Sequence, residues 1–404
     1  MDSSQMIRSG PVRYATAERF ARPRPVTDPS GDGPSSGRIC PQPPSRLDAV
    51  MGPPLDTHPR GEDCLHLTVT TPARDAGARP VLVWLHGGGF SSGAGLLDWY
   101  DGGALAAEQD VVVVGVNYRL GALGYLCLDG VSDGNLGLFD QLEALRWVRD
   151  HIAAFGGDPG NVTVLGQSAG ALSIRLLMAV PAARGLFHRA VLQSPPLSIA
   201  ARPPEASRAV GRRFAGFLGT DPRTADPDAL LAAQRRTAAA HTQETGSPLE
   251  PPFLPVTGTA PLDTADLDAE SGLDGAEGLD ILQGWNADDM SAFVGGDGDV
   301  AASTRREYEE PLARFAGRLR QAGARVTTYR LDWRPAGSPF GATHCLELPL
   351  LLGSRAAWRR SPMLGDTPWE ETDRLGVAVR AAWASFARTG DPGPLPDPLT
   401  TVPH

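Results

Sequence analysis

The pentad Gly166-Gln167-Ser168-Ala169-Gly170 constrains this chain more than any other stretch. It follows the apolar run Val162–Leu165 and precedes a helix-like stretch, Ala171–Met178. Strand, tight turn and helix form the context in which a Gly-x-Ser-x-Gly sequence carries meaning. Small residues let the backbone reverse sharply. The serine hydroxyl then stands above the end of a sheet, and the first helical N–H groups face the oxygen under attack. The pentad points to acyl transfer through Ser168.

The remaining pattern supplies the framework such a turn needs. Val81–Leu85 and Val111–Val116 are short, continuous apolar runs, as buried central strands are. Leu138–Phe155 carries apolar residues at helical spacing and stops at Gly156-Gly157. Arg189–Leu192, Leu279–Gly284 and Val326–Leu331 read as further strands. Pro204–Leu218, Asp228–Thr242, Glu307–Gln321 and Val377–Thr389 read as helices. Leu65–Thr70 alternates like an edge strand, and Thr257–Gly278 reads as a surface loop. Alternating helix and apolar strand predicts a mostly parallel sheet with helices on both faces, an α/β fold of the hydrolase type. Residues 1–60, with many Pro, Gly, Ser and Arg from 21 onward, read as an extended wrapping segment. Residues 61–404 then form the catalytic domain, and 404 residues suit one such domain with insertions.

Charge and composition narrow the function. The net charge is -10 and no basic stripe is evident, which makes nucleic acid and anionic membranes poor partners. No apolar run approaches the roughly 20 residues that a membrane helix needs. The first twenty residues lack the apolar core of a secretory signal, so a soluble, cytoplasmic protein is expected, with secretion through an already removed signal as the alternative. Cys40, Cys64, Cys127 and Cys345 lack zinc-site spacing, and the eight histidines include no HExxH. No metal or organic cofactor is implied.

A serine nucleophile needs an oxyanion site, a base and an acid. His86-Gly87-Gly88-Gly89-Phe90 follows a buried strand, and its glycines can turn backbone N–H groups inward with no side chain in the way. Standing alone, this stretch reads equally well as a turn needing positive φ; beside the pentad, the oxyanion reading is preferred. The partners should follow in the order acid, then histidine. His188, His241, His344 and His404 lie downstream. His344, in a loop after a strand and just before an apolar segment, is the best base on order and context. The acid should follow the strand at 279–284, which offers Asp288 and Asp289; spacing does not choose between them.

With these residues in place, the chain resembles the type-B carboxylesterases, the α/β-hydrolase family of para-nitrobenzyl esterases and cholinesterases. The similar segments are GEDCLHLTV (61–69), WLHGGGF (84–90), VNYRLGALGYL (116–126), NLGLFDQLEALRWV (135–148), FGGDPGNVTVLGQSAG (155–170), GLFHRAVLQS (185–194), GATHCLELPL (341–350) and WASFARTGDP (383–392). The resemblance implies a carboxylesterase with Ser168 as nucleophile, His344 as base, and oxyanion donors on Gly88, Gly89 and Ala169. Its acid falls on Asp289, with Asp288 as the alternative, because the family's usual glutamate is one methylene longer. It also implies a disulfide between Cys40 and Cys64, which a cytosolic location opposes.

Departures from the family carry their own expectations. Gln167 replaces a frequent glutamate and removes a charge that a quaternary-ammonium substrate would use. The short stretch between acid and histidine predicts a reduced helical cap and a wider cleft. The opening hairpin of the family is not evident before residue 20. Trp99, Trp285 and Trp358 are candidates for a substrate pocket or for ordinary packing. Two competing functions use other logic: acyl transfer on lactones, carbamates or amides, and a non-catalytic binding protein on the same fold. An apolar rim around the cleft would point instead to a lipase.

Overall fold

The computed structural model describes residues 6–26, 37–55, 58–199, 201–247, 249–268, 270–294 and 298–403. Parts of the expected wrapping segment (27–36, 56–57) and His404 lie outside them.

Valine-rich runs pair side by side because a parallel strand covered on both faces must be apolar all along. Nine strands make the main sheet: β1 (Ile7–Arg13), β2 (His66–Thr71), β3 (Arg79–Leu85), β4 (Val112–Val116), β5 (Gly157–Gln167), β6 (Arg189–Gln193), β7 (Asp280–Asn286), β8 (Arg325–Leu331) and β9 (Leu399–Thr401). Their spatial order is β1-β2-β4-β3-β5-β6-β7-β8-β9. Pairing is parallel from β4 through β8, and antiparallel where β1, β2 and β9 join the edges.

Successive side chains on a strand point to opposite faces, and here the two faces fill different cores. Val81, Val83 and Leu85 of β3 join Val112, Val114 and Val164 on one face. Leu82 and Trp84 join Val113, Leu165 and Val191 on the other. Helix α1 (Gly103–Gln109) and helix α7 (Trp369–Thr389) pack on the second face. Helix α2 (Leu136–His151) and helix α3 (Ala169–Leu177) pack on the first. Helices α4 (Pro204–Leu218) and α5 (Pro227–Thr245) form an antiparallel-type hairpin outside the first face, and α6 (Glu310–Gln321) leads into β8.

One buried ion pair braces this frame. Arg119, just after β4, meets Asp140 of α2 through Nη2 at 2.7 Å and Nε at 2.8 Å, and the carboxylate also takes the Arg119 N–H. Breaking it from one side would strand a charge in the core, at a cost of about 3–5 kcal/mol.

The segment before residue 60 is more than a wrap, because β1 pairs with β2 across a register shift between Ser9 and Val12. Proline and glycine at 10–11 hid that strand in the sequence. Cys40 and Cys64 are free thiols rather than a disulfide. They lie against each other, and Cys40 Sγ accepts the Leu120 N–H at 3.3 Å. Among the described residues no helix is long and apolar enough to cross a membrane.

Candidate active site

Strand β5 and helix α3 leave only Ser168 to make the turn between them. Its backbone sits at φ 54°, ψ −121°, outside the ordinary regions, and its N–H donates to Gln193 O of neighbouring β6 at 2.9 Å. Both pentad glycines are required by close approach. A side-chain carbon on Gly166 would stand 2.6 Å from the Gly170 carbonyl carbon, and one on Gly170 would run into Leu85 O. Helix α3 begins at Ala169, so its first N–H has no acceptor within the helix. Gly88 and Gly89 follow β3 with φ of 108° and 59°, and a carbon built on Gly87 would lie 3.2 Å from Ser168 Cβ. Gly89 and Ala169 line the cavity at Ser168, and Gly88 lies between Gly89 and the Gly87 that touches the serine.

His344 and Asp289 reach the same place from irregular segments. His344 Nδ1 meets Asp289 Oδ1 at 2.6 Å, with both side chains fully buried. The other carboxylate oxygen accepts from Ser194 Oγ at 2.9 Å and from the Asn286 N–H at 2.8 Å. Asp288 faces another way. It pairs with Arg334 at 2.7 Å and accepts the Ala342 N–H at 2.8 Å. Of the other candidate bases, His188 accepts the Val162 N–H and His241 sits between Arg202 and Glu250. Neither lines the cavity at Ser168.

The chain and its fold have close counterparts. Residues 10–310 match the carboxylesterase family. A probable N-octanoylanthranilate hydrolase of Rhodococcus erythropolis is 42% identical over 97% of this chain and 92% of its own. The para-nitrobenzyl esterase of Bacillus subtilis is 34% identical over 93% and 83%. The solved structure of a thermophilic PNB esterase superposes with a TM-score of 0.84 at 29% identity, over 98% of this chain and 90% of that one. A further PNB esterase structure gives 0.83 at 30% identity, with the same coverage.

This chain belongs to the carboxylesterase family. It is a serine ester hydrolase with an α/β-hydrolase fold, and its substrates are small-molecule esters.

Three features of this carboxylesterase's site escaped the sequence. Gln167 Nε2 lies 3.0 Å from His344 Nε2, the ring nitrogen opposite the one on Asp289. With a proton on Nδ1, that nitrogen is an acceptor and the Gln167 amide donates to it. Among the described residues, Ser168 Oγ makes no hydrogen bond to His344. Glu347 lies beneath the pair, wholly buried, with Oε2 taking an Asn286 amide N–H at 2.5 Å. Burial, and then the Asp289 charge, push its carboxyl up to about 7. Its spacing from His344 would have been the signal, but a glutamate beside Leu346 and Leu348 reads equally as an exposed residue. Backbone strain gathers here too, with Phe90, Ser194 and Cys345 joining Ser168 at positive φ.

The cleft is narrow, contrary to the expectation of a wide one. The cavity on Ser168 has a volume of about 20 Å³, room for about one water. Arg46, Leu249, Pro251 and Tyr308 wall it, so a strap near residue 46 and a loop near 250 close the site. A second cavity of about 200 Å³ opens on the other side of the strap, lined by Gly88, Trp99, Gln167 and Cys345. Trp99 stacks on Trp358 at 5.8 Å and so reaches that cavity from a packed base. Trp285 is packed with Met290 and Leu312.

Proposed function

We propose that Ser168, His344 and Asp289 are the catalytic triad, that Gly88, Gly89 and Ala169 supply the oxyanion N–H groups, and that the substrates include N-acyl aryl amides as well as esters. The observation that carries this reading is the fully buried His344–Asp289 contact at 2.6 Å beside a serine held at positive φ.

Asp289 accepts from Nδ1–H, which fixes the tautomer and leaves Nε2 basic. Nε2 exchanges its Gln167 donor for the Ser168 hydroxyl and takes that proton as Oγ attacks the carbonyl. The oxyanion is met by N–H groups already aimed by the turn, so no reorganisation is needed as charge develops. Protonated His344 then gives its proton to the leaving alcohol or amine. Water, activated the same way, releases the acid and restores Ser168.

Amides enter the reading through the Rhodococcus relative, whose name specifies an octanoyl amide. The walls near Arg46 and Leu249 must part to admit a chain of that length. A cytoplasmic setting suits four free thiols, and the acidic surface suits neither nucleic acid nor a stable membrane partner.

The test is hydrolysis of para-nitrophenyl esters from acetate to decanoate beside Ser168→Ala. The expected result is a loss of about 10⁴-fold or more in kcat, with free acid as product. Equal rates in the two proteins would end the assignment, and transfer of the acyl group to an added alcohol or amine without free acid would replace hydrolysis by acyl transfer.

A further inference from the structure

Arg46 stands where a cation has no part in the chemistry of ester cleavage. Its guanidinium lies over Gly89 of the oxyanion loop: a side-chain carbon built on that glycine would sit 2.6 Å from Nη2. It lines the Ser168 cavity, where its neighbours Leu172, Ile199 and Phe293 are apolar. The residue as a whole is exposed at the cavity mouth. Its head is nevertheless crowded enough that burial lowers the guanidinium pKa, an effect the Tyr308 phenol opposes. Among its contacts, Nη2 donates to Leu249 O at 3.3 Å. A guanidinium carries five donors in a planar fork that fits a carboxylate.

We infer that Arg46 is a specificity-determining residue that pairs with a carboxylate on the substrate. The preferred substrates are then acylated aromatic acids, with a fatty acyl group joined to an aryl amine or alcohol that bears a carboxylate next to the scissile bond. A carboxylate ortho to that bond is only a few bonds from the carbonyl under attack, and Gly89 sets Arg46 at a similar remove from the oxyanion site. A chain of net charge -10 repels anions in general, so an anionic substrate needs a local cation at the site. The name of the Rhodococcus relative describes such a molecule, since anthranilate carries its carboxylate ortho to the acylated nitrogen. This inference rests on the serine esterase reading above.

The experiment compares 2-carboxyphenyl octanoate with phenyl octanoate, two esters that differ by one carboxylate, using wild type, Arg46→Met and Arg46→Lys. The readout is the ratio of the two kcat/KM values. A charge-assisted pair predicts that Arg46→Met lowers this ratio about 10- to 100-fold, chiefly through KM of the carboxylate ester, and that Arg46→Lys keeps part of it. Two results would overturn the proposal: both esters losing rate together in Arg46→Met, which would make Arg46 a brace for the Leu249 wall, or a Met ratio equal to wild type. A wild type that cleaves neither ester would fail the esterase reading itself, and this inference with it.

Discussion

The proposed nucleophile and its two proposed partners are held in opposite ways. Ser168 sits on a continuous strand–turn–helix whose flanks are central elements of the sheet, and its position follows from backbone contacts alone. Asp289 and His344 come from irregular segments 55 residues apart in sequence, and side-chain hydrogen bonds from Ser194 and Gln167, with the Asn286 amide, hold them. The first arrangement is rigid because the sheet is. The second depends on a polar network in which each member satisfies another, so a single loss propagates. The difference teaches that the site's tolerance to change should be uneven: structural freedom is small at the turn, whereas chemical tuning is concentrated at the acid–histidine side.

The largest test of that contrast is the acid. Asp289→Asn should lower kcat by about 10³- to 10⁴-fold, since an amide stabilises the wrong tautomer. Asp288→Asn should leave kcat within a few-fold, because its partners are Arg334 and the Ala342 N–H. Para-nitrophenyl acetate kinetics on both variants decide it, and similar losses would erase the distinction between the two aspartates.

Next in size is the buried Glu347. Its carboxyl is raised from 4.5 to about 7 in the fold, so the folded chain keeps a proton that the unfolded chain releases. Stability should therefore fall as pH rises from about 4.5 to 7, by roughly 3 kcal/mol, and level off above that window. Thermal melts across pH 4.5–8 check it: Glu347→Gln should flatten the decline, and an unchanged slope would remove Glu347 as its source.

The smallest expected effect is at Gln167. Gln167→Glu places a carboxylate against His344 Nε2 and favours imidazolium, which should move the acid limb of kcat/KM to higher pH by about one unit. A limb that stays in place would mean that the Gln167 contact does not persist in the working enzyme.

Legibility in the sequence followed the same divide. The central strands were readable because burial on both faces forces uninterrupted apolar runs, as in Val112–Val116. The pentad was readable because its glycines answer to atoms a few residues away or on the adjacent strand. Edge strands β1 and β9 were missed: Pro11 interrupts one, and the other is only three residues long. Spacing alone could not separate the two candidate acids, and only the family resemblance favoured Asp289, because adjacent aspartates on a turn differ only in the direction each side chain takes. Arg46 left no signal, lying some 120 residues before Ser168 in a proline-rich stretch.

By itself, the sequence determined the sheet, the serine turn and the glycine loop, since local periodicity and backbone sterics act over short spans. Tertiary structure alone decided which aspartate faces His344, that Glu347 is trapped beneath the pair, that Cys40 and Cys64 meet as thiols, and that Arg46 closes over Gly89 to narrow the cleft. Those outcomes are set by which distant surfaces come together and by the direction of single side chains, and neither quantity is written in the spacing of residues along the chain.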